Sequence, residues 1–258
     1  MKSLFSFKLF LALIISVFFC SCISDNTREF YHLKTYTFNS AEQMALMDNY
    51  LAETFLPALK NTGVKNVGVF KTRIAEKDSS LNIYVLIPYN SLDDIQITED
   101  LLNKTETVLK ASATFTNEQP PYARQSSVVL RAFEDMPMML PSPLTGERKD
   151  RIYELRSYES ATEAKFWNKV DMFNAGGEIA LFKKLNFNAV FYGEVLSGPK
   201  MPNLMYMTTF KNQKDRDLHW KEFVDSPEWN TLKGMPEYQK NVSKIDIYFL
   251  YPTEYSDY

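Results

Sequence analysis

Cysteine and histidine are nearly missing from this chain: its 258 residues include two of each. Both cysteines, Cys20 and Cys22, lie at the start, so the rest of the chain has no disulfide to form. His32 and His219 alone cannot build a typical zinc site. Glycine is scarce at eight residues, and no glycine-rich phosphate loop is present; Gly176-Gly177 falls inside a helical pattern and is too short for one. There is no Gly-x-Ser-x-Gly elbow. The acidic pair Asp93-Asp94 sits at a helix start, where capping and the helix dipole account for it. No basic excess exists either: the net charge is −3 and Lys and Arg are dispersed, which argues against a nucleic-acid partner. Hydrolase, kinase and metalloenzyme chemistry are disfavoured on these grounds, and no metal or other cofactor is implied.

What is present is apolar bulk. Hydrophobic residues make up 45% of the chain, enough for a sizeable core without disulfides. The first residues read as an export signal: Lys2 and Lys8 precede an apolar run from Leu9 to Phe19, interrupted only by Ser16. That run is about half the ~20 residues a membrane-spanning helix needs. Its end, Phe19-Cys20-Ser21-Cys22, resembles a bacterial lipoprotein signal, with Cys22 after the small Ser21 as the acylated residue; an ordinary cleaved signal is the alternative. The resemblance implies a signal over 1–21, a polar tether over 22–28, and an exported protein held in the cell envelope by a lipid anchor, facing the periplasm or on the outer membrane.

The mature chain is organised around a repeat. Tyr-x-Leu-basic-small-Tyr occurs at Tyr31–Tyr36 and again at Tyr153–Tyr158, about 120 positions later. Val69-Phe70 against Phe191-Tyr192, Asn82–Leu86 against Asn203–Met207, and Ser127–Phe133 against Lys244–Leu250 recur in the same order. Each half reads β-α-β-β-α-β, so the expected fold is α+β: two tandem ferredoxin-like modules over 29–134 and 151–258, packed sheet to sheet. A Met- and Pro-rich segment over 135–150 joins them, either as a surface linker or as a flap over a pocket.

Local signals fill in the elements. Ser40 with Gln43, and Ser160 with Glu163, have capping-box spacing. Pro57 should kink or restart the first helix, and Gly63 and Asn186 are candidate left-handed stops. Phe166, Val170, Phe173, Gly177 and Leu181 suggest one continuous stripe, and Ser91 to Ala113 one helix. Ser226-Pro227-Glu228 should start a short helix.

The second half resembles the NIPSNAP family. The resemblance rests on Met201–Phe210 (MPNLMYMTTF), the stretch from Gly176 to Val195, Trp220 and Trp229 with Ser226-Pro227-Glu228 between them, and the end from Pro252 to Tyr258. It implies the dimeric α+β barrel superfamily, whose members include cofactor-independent monooxygenases and haem-handling proteins, and it leaves the activity open.

The first strands alternate with period two. Tyr31, Leu33 and Thr35, like Tyr153, Leu155 and Ser157, form an apolar or small face expected to meet helices. His32, Lys34, Tyr36, Glu154, Arg156 and Tyr158 form a charged and aromatic face expected to line the space between the sheets. Those six are the candidate pocket for a small anionic or phenolic ligand, or else ion pairs cementing the modules. His219, beside Trp220, reads first as a partly exposed bystander, with a catalytic or haem-ligand role as the alternative; Trp220, Trp229, Met205 and Met207 read first as packing residues. Two functions stay open: a small-ligand-binding or protein-interaction module, and a monooxygenase-like enzyme for a small aromatic or anionic substrate. A homo-oligomer fits either.

Overall fold

A computed structural model describes residues 27–73 and 80–258. The signal over 1–21, Cys22 and most of the tether lie outside the described residues. The order of elements is that of a repeated βαββαβ unit. The first half contains β1 (Phe30–Phe38), β2 (Gly68–Thr72), β3 (Leu81–Tyr89) and β4 (Arg124–Ala132). The second contains β5 (Ile152–Glu159), β6 (Phe191–Ser197), β7 (Asn203–Phe210) and β8 (Lys244–Pro252). Every pairing is antiparallel, and the strands close into one barrel in the order β1-β3-β2-β8-β5-β7-β6-β4. The halves therefore share a single closed sheet. The seams are short: β2 meets β8 at Phe70–Pro252, Lys71–Tyr251 and Thr72–Leu250, whereas β1 pairs with β3 along its full length.

Helices cover the outside. In the first half these are α1 (Ala41–Tyr50), α2 (Leu56–Asn61), α3 (Leu92–Leu102) and α4 (Glu106–Ser112). In the second they are α5 (Glu163–Phe173), α6 (Glu178–Lys184), α7 (Gln213–Asp225) and α8 (Pro227–Leu232). Ser40 accepts from Gln43 N, Ser91 from Asp94 N and Ser226 from Trp229 N, each meeting an otherwise orphan helix N–H. Pro57 stands in the first turn of α2, where the helix restarts, one of the two outcomes expected of it. A π turn (Leu51–Phe55) lies just ahead of it, with the Leu56 N–H reaching back to Leu51 O; the lost proline donor is absorbed by this wider turn. Gly63 (φ 96°) and Asn186 (φ 55°) both adopt the expected left-handed conformation.

Three local expectations are corrected. The cap of α5 is Thr162, which accepts from Lys165 N, while Ser160 instead donates to Asn241 O. The stripe from Phe166 to Leu181 is two helices, broken at Asn174–Gly177, where Gly177 has φ 85°. Ser91 to Ala113 is likewise two helices, α3 and α4.

The barrel interior is filled rather than hollow. Tyr31, Leu33, Phe70, Tyr153, Leu155, Phe191 and Met207 meet there, with Tyr31 and Phe191 edge to face at 5.3 Å and Phe70 and Tyr153 tilted against each other at 4.9 Å. One end is stoppered by the joining segment and the chain's last residues. Met139 is 4% exposed and enters this core, fixed by Met139 N donating to Glu29 Oε2 and Leu140 N to Val190 O. Tyr258 packs 6.0 Å from Phe70. The tail before it runs beside β2, where Thr253 N donates to Val69 O and Asp257 N to Val67 O. Gly68 leaves room there for the Phe70 ring, which a Cβ would meet at 2.5 Å. The 135–150 segment is thus more than a surface linker. At the opposite mouth a small cavity of about 120 Å³ remains, lined in part by Thr35, Ser157 and Asn203.

Candidate functional site

The six candidate residues lie on one face of their strands, as the alternation indicated, but that face points outward to the helices, not into the barrel. The inter-sheet placement is corrected: Tyr31, Leu33, Tyr153 and Leu155 line the interior, while Tyr36 and Tyr158 belong to the two sheet-to-helix cores. The physical reason is pairing. The closed interior has no helix to bring counter-charges, and a lone buried ion there would lose its hydration uncompensated. Under the helices each charge finds a partner.

Glu154 shows this most fully. It is completely buried and accepts from Arg156 Nε at 2.7 Å, from Arg216 Nε and Nη2 at 2.7 and 3.0 Å, and from Trp220 Nε1 at 2.9 Å. Burial pushes its carboxyl up, but the hydrogen bonds and charges of Arg216 and Arg156 outweigh that and hold it below the ordinary value. Arg156 is stacked on Trp220 at 3.7 Å and donates through Nη1 to Tyr158 Oη at 2.9 Å. Tyr158 in turn shares a 2.9 Å hydrogen bond with Tyr206. A strand carboxylate, two arginines and two tyrosines thus form one connected polar network against an aromatic wall.

Beside this network lies a pocket of about 480 Å³ between β5 and the helices of the second half, lined by Arg156, Tyr158, Lys169, Met172, Glu178, Trp220, Phe223 and Trp229 among others. Lys169 is 4% exposed and pairs with Glu178 at 2.7 Å, with its ammonium 4.6 Å from the Phe173 ring. The break between α5 and α6 makes this pair: it turns the chain so that Glu178, on the first turn of α6, faces Lys169 in the middle of α5. The volume falls within the range of small-molecule sites. The lining is aromatic, with Arg156 and Lys169 carrying cations at its polar side.

The equivalent residues in the first half are brought together differently. Lys34 is held by Glu99 of α3, and the Lys34 ammonium lies 5.4 Å from the Phe55 ring. His32 is hydrogen-bonded to Ser127. Tyr36 packs 5.3 Å from Tyr122. The six candidates therefore form two separate clusters, not one. His219 is a packing residue: its Nδ1 bonds Asp215 O at 2.7 Å and its ring lies against Phe187 and Phe210. Met205 and Met207 are core, as expected. Among the described residues no group of His, Cys, Asp and Glu could hold a metal ion, and no helix is long and apolar enough to cross a membrane.

Sequence reasoning missed Lys169, Glu178, Arg216 and Glu99. Only Lys169 left a local trace, a cation one position before Val170 on the buried face of a helix that presents Phe166 and Phe173.

Comparison with known proteins places this architecture. No curated protein matches the chain. A provisionally named monooxygenase of Fusobacterium nucleatum superimposes with a TM-score of 0.55 at 8% identity, covering 88% of this chain and 93% of that one. One of Lactobacillus acidophilus gives 0.53 at 12% identity, covering 87% and 94%. An anthrone oxidase-like protein gives 0.54 at 9% identity, covering 88% and 92%. Likeness at such identity shows the fold alone: this is the two-module barrel of the dimeric α+β barrel proteins, formed by a single chain. The NIPSNAP family model matches from Tyr153 to Asp257, the half that holds the aromatic pocket. Residues 153–257 of this chain are a NIPSNAP domain.

Proposed function

We propose that the NIPSNAP domain binds a small aromatic anion in the pocket beside Arg156 and Lys169. One observation carries this reading: a cavity of about 480 Å³ with Trp220, Trp229 and Phe223 in its wall and two cations, both largely buried, at its polar side. Aromatic faces favour a flat ring, and the guanidinium and ammonium favour a carboxylate or phenolate. The filled barrel centre leaves the sheet-to-helix space of the second half as the better ligand site.

A second reading makes the same pocket catalytic. It is supported by the connected hydroxyls of Tyr158 and Tyr206 beside Arg156, which offer a path for a proton at the pocket edge, and by the monooxygenase names of structures with this fold. Cys22 as a lipid attachment point would display either activity in the cell envelope.

Residues 23–258, purified without the lipid, would be screened by native mass spectrometry and thermal shift against small aromatic acids, quinols and haem. Expected is a retained or stabilising aromatic acid, bound at least tenfold more weakly by folded Arg156→Gln and unaffected by Lys34→Gln. No binding to the wild type, or equal binding by Arg156→Gln, would overturn the reading. Consumption of oxygen with the bound acid would favour the catalytic version. Incorporation of labelled fatty acid that is lost in Cys22→Ala would test the anchor.

A further inference from the structure

The first module carries a second cluster, on the outer face of β1 and β4, that plays no part in the pocket. Ser127 of β4 sits directly opposite Lys34 of β1, so their side chains share that face. The Ser127 hydroxyl is hydrogen-bonded to His32 Nε2. On the far side of the ring, His32 Nδ1 lies 3.8 Å from Glu99 Oε1 of α3. That nitrogen is buried and, at this distance from Glu99, has no hydrogen-bond partner among the described residues. The imidazole is 7% exposed, while Ser127 itself is open to solvent.

Hydroxyl, imidazole and carboxylate in that order are the parts of an activated nucleophile, recognised by geometry and not by position in the sequence. The missing Gly-x-Ser-x-Gly elbow therefore does not decide the matter. The groups facing the ring are Lys34 from its own strand, Glu99 from α3 and Ser127 from β4. Burial first, and Lys34 second, lower the His32 pKa to about 4 against the opposing pull of Glu99, so the ring is neutral at neutral pH. A proton on Nδ1, toward Glu99, leaves the Nε2 lone pair to receive the Ser127 proton. Lys34, bound to the same carboxylate, places a positive charge beside the serine.

We propose that Ser127, His32 and Glu99 form a nucleophilic site that takes an acyl group from a small ester. Ser127 Oγ adds to the ester carbonyl carbon as its proton passes to His32 Nε2. The C–O bond to the alcohol then breaks, the alcohol leaves with that proton, and Ser127 is acylated. Water attacks the acyl carbon as Nε2 takes its proton, and that proton returns to Ser127 as the acid departs. Ser127 stands on an open strand face and not in a cleft, which suits a short or extended acyl donor. The weak basicity of His32 makes trapping a better readout than turnover. Glu99 acts as a positioning residue.

The full chain would be treated with a fluorophosphonate probe and the adducts located by peptide mass spectrometry, with exposed Ser112 as the internal reference. Ser127 is expected to label at least tenfold faster than Ser112, and folded His32→Gln to lose that advantage. Ser127→Ala, an exposed change that leaves the fold intact, should remove the adduct. The wild-type rate should rise through about pH 4 and stay level above it. Glu99→Gln should slow labelling and move that midpoint lower, a shift that a purely structural role would not produce. Labelling of Ser127 no faster than Ser112, or a rate that climbs about tenfold per pH unit through neutrality as free hydroxide does, would overturn the proposal.

Discussion

The two halves of the barrel have the same elements in the same order, yet they fill the space beneath their helices in different ways. In the first half that space is largely aliphatic, with Met47, Leu51, Leu59, Ile83, Val85 and Ile87 in contact. In the second it is built from rings: Phe173, Phe182, Tyr192, Tyr206, Phe223 and Trp220. Aliphatic side chains interdigitate without a preferred orientation, whereas aromatic rings meet in preferred edge and face geometries. The contrast extends to the matched strand positions. Lys34 pairs with Glu99, while Arg156 shares Glu154 with Arg216 and Trp220 and also stacks on the indole. Planar, multiply bonded arginine fixes a geometry that lysine does not. The second half sets its opening beside an anchored, stacked cation, whereas an opening of about 450 Å³ in the first half lies away from Lys34.

The largest expected effect comes from removing the centre of the second network. Glu154→Ala leaves Arg156 and Arg216 without their shared carboxylate in a buried setting, and should cost about 3–5 kcal/mol in urea unfolding. His32→Ala, at the matched position, should cost clearly less; equal losses would show that the halves are not differentiated as described.

Acid should distinguish the halves next. The folded-state pKa of His32 is about 4 against an ordinary 6.5, so the unfolded chain takes up the proton first and stability falls as pH drops through that window, by at most about 3 kcal/mol. His32→Gln should flatten this limb. Glu154 has the sign of a depressed carboxylate: its contribution is intact above the ordinary value of 4.5 and is lost as pH falls through its lower folded value. The gap between wild type and Glu154→Gln should therefore narrow only below about pH 4.5. Loss of both contributions in one pH range would contradict the assignment.

Met139 tests the boundary between the halves. Met139→Ala withdraws the side chain that stoppers the barrel and should cost about 2–3 kcal/mol, read from the denaturant midpoint. A negligible cost would return the 135–150 segment to the role of a plain linker. The smallest contrast concerns caps. Ser40→Ala and Thr162→Ala should each cost about 1 kcal/mol, while Ser160→Ala should show no helix-specific loss, because its hydroxyl is spent on Asn241 O.

Much of this architecture was legible from local signals. Tyr31–Tyr36 and Tyr153–Tyr158 alternate strictly, and Ser40, Gly63, Asn186 and Ser226 carry their conformational reasons with them. The sidedness of the strands was not legible. Period two separates two faces without saying which is inside, and here both are buried: Tyr153 and Glu154 are each 0% exposed. The deciding partners, Glu99 for Lys34 and Arg216 for Glu154, lie more than sixty residues away in sequence, beyond any local pattern. The break at Asn174–Gly177 was hidden because Gly177 fell at the spacing of an apolar stripe. That break brings Glu178 to Lys169, so the pocket's ion pair was hidden with it.

Closure of the barrel by strands from one chain has a further consequence. In a barrel assembled from two identical chains, symmetry writes every substitution twice, so a change that opens a pocket in one half also loosens the other. Here β2 meets β8, and β4 meets β6, between halves that are encoded separately. Each codon is read once per barrel. One half can drift toward reactivity while its twin preserves the frame, and a heritable asymmetry between Lys34 and Arg156 becomes selectable.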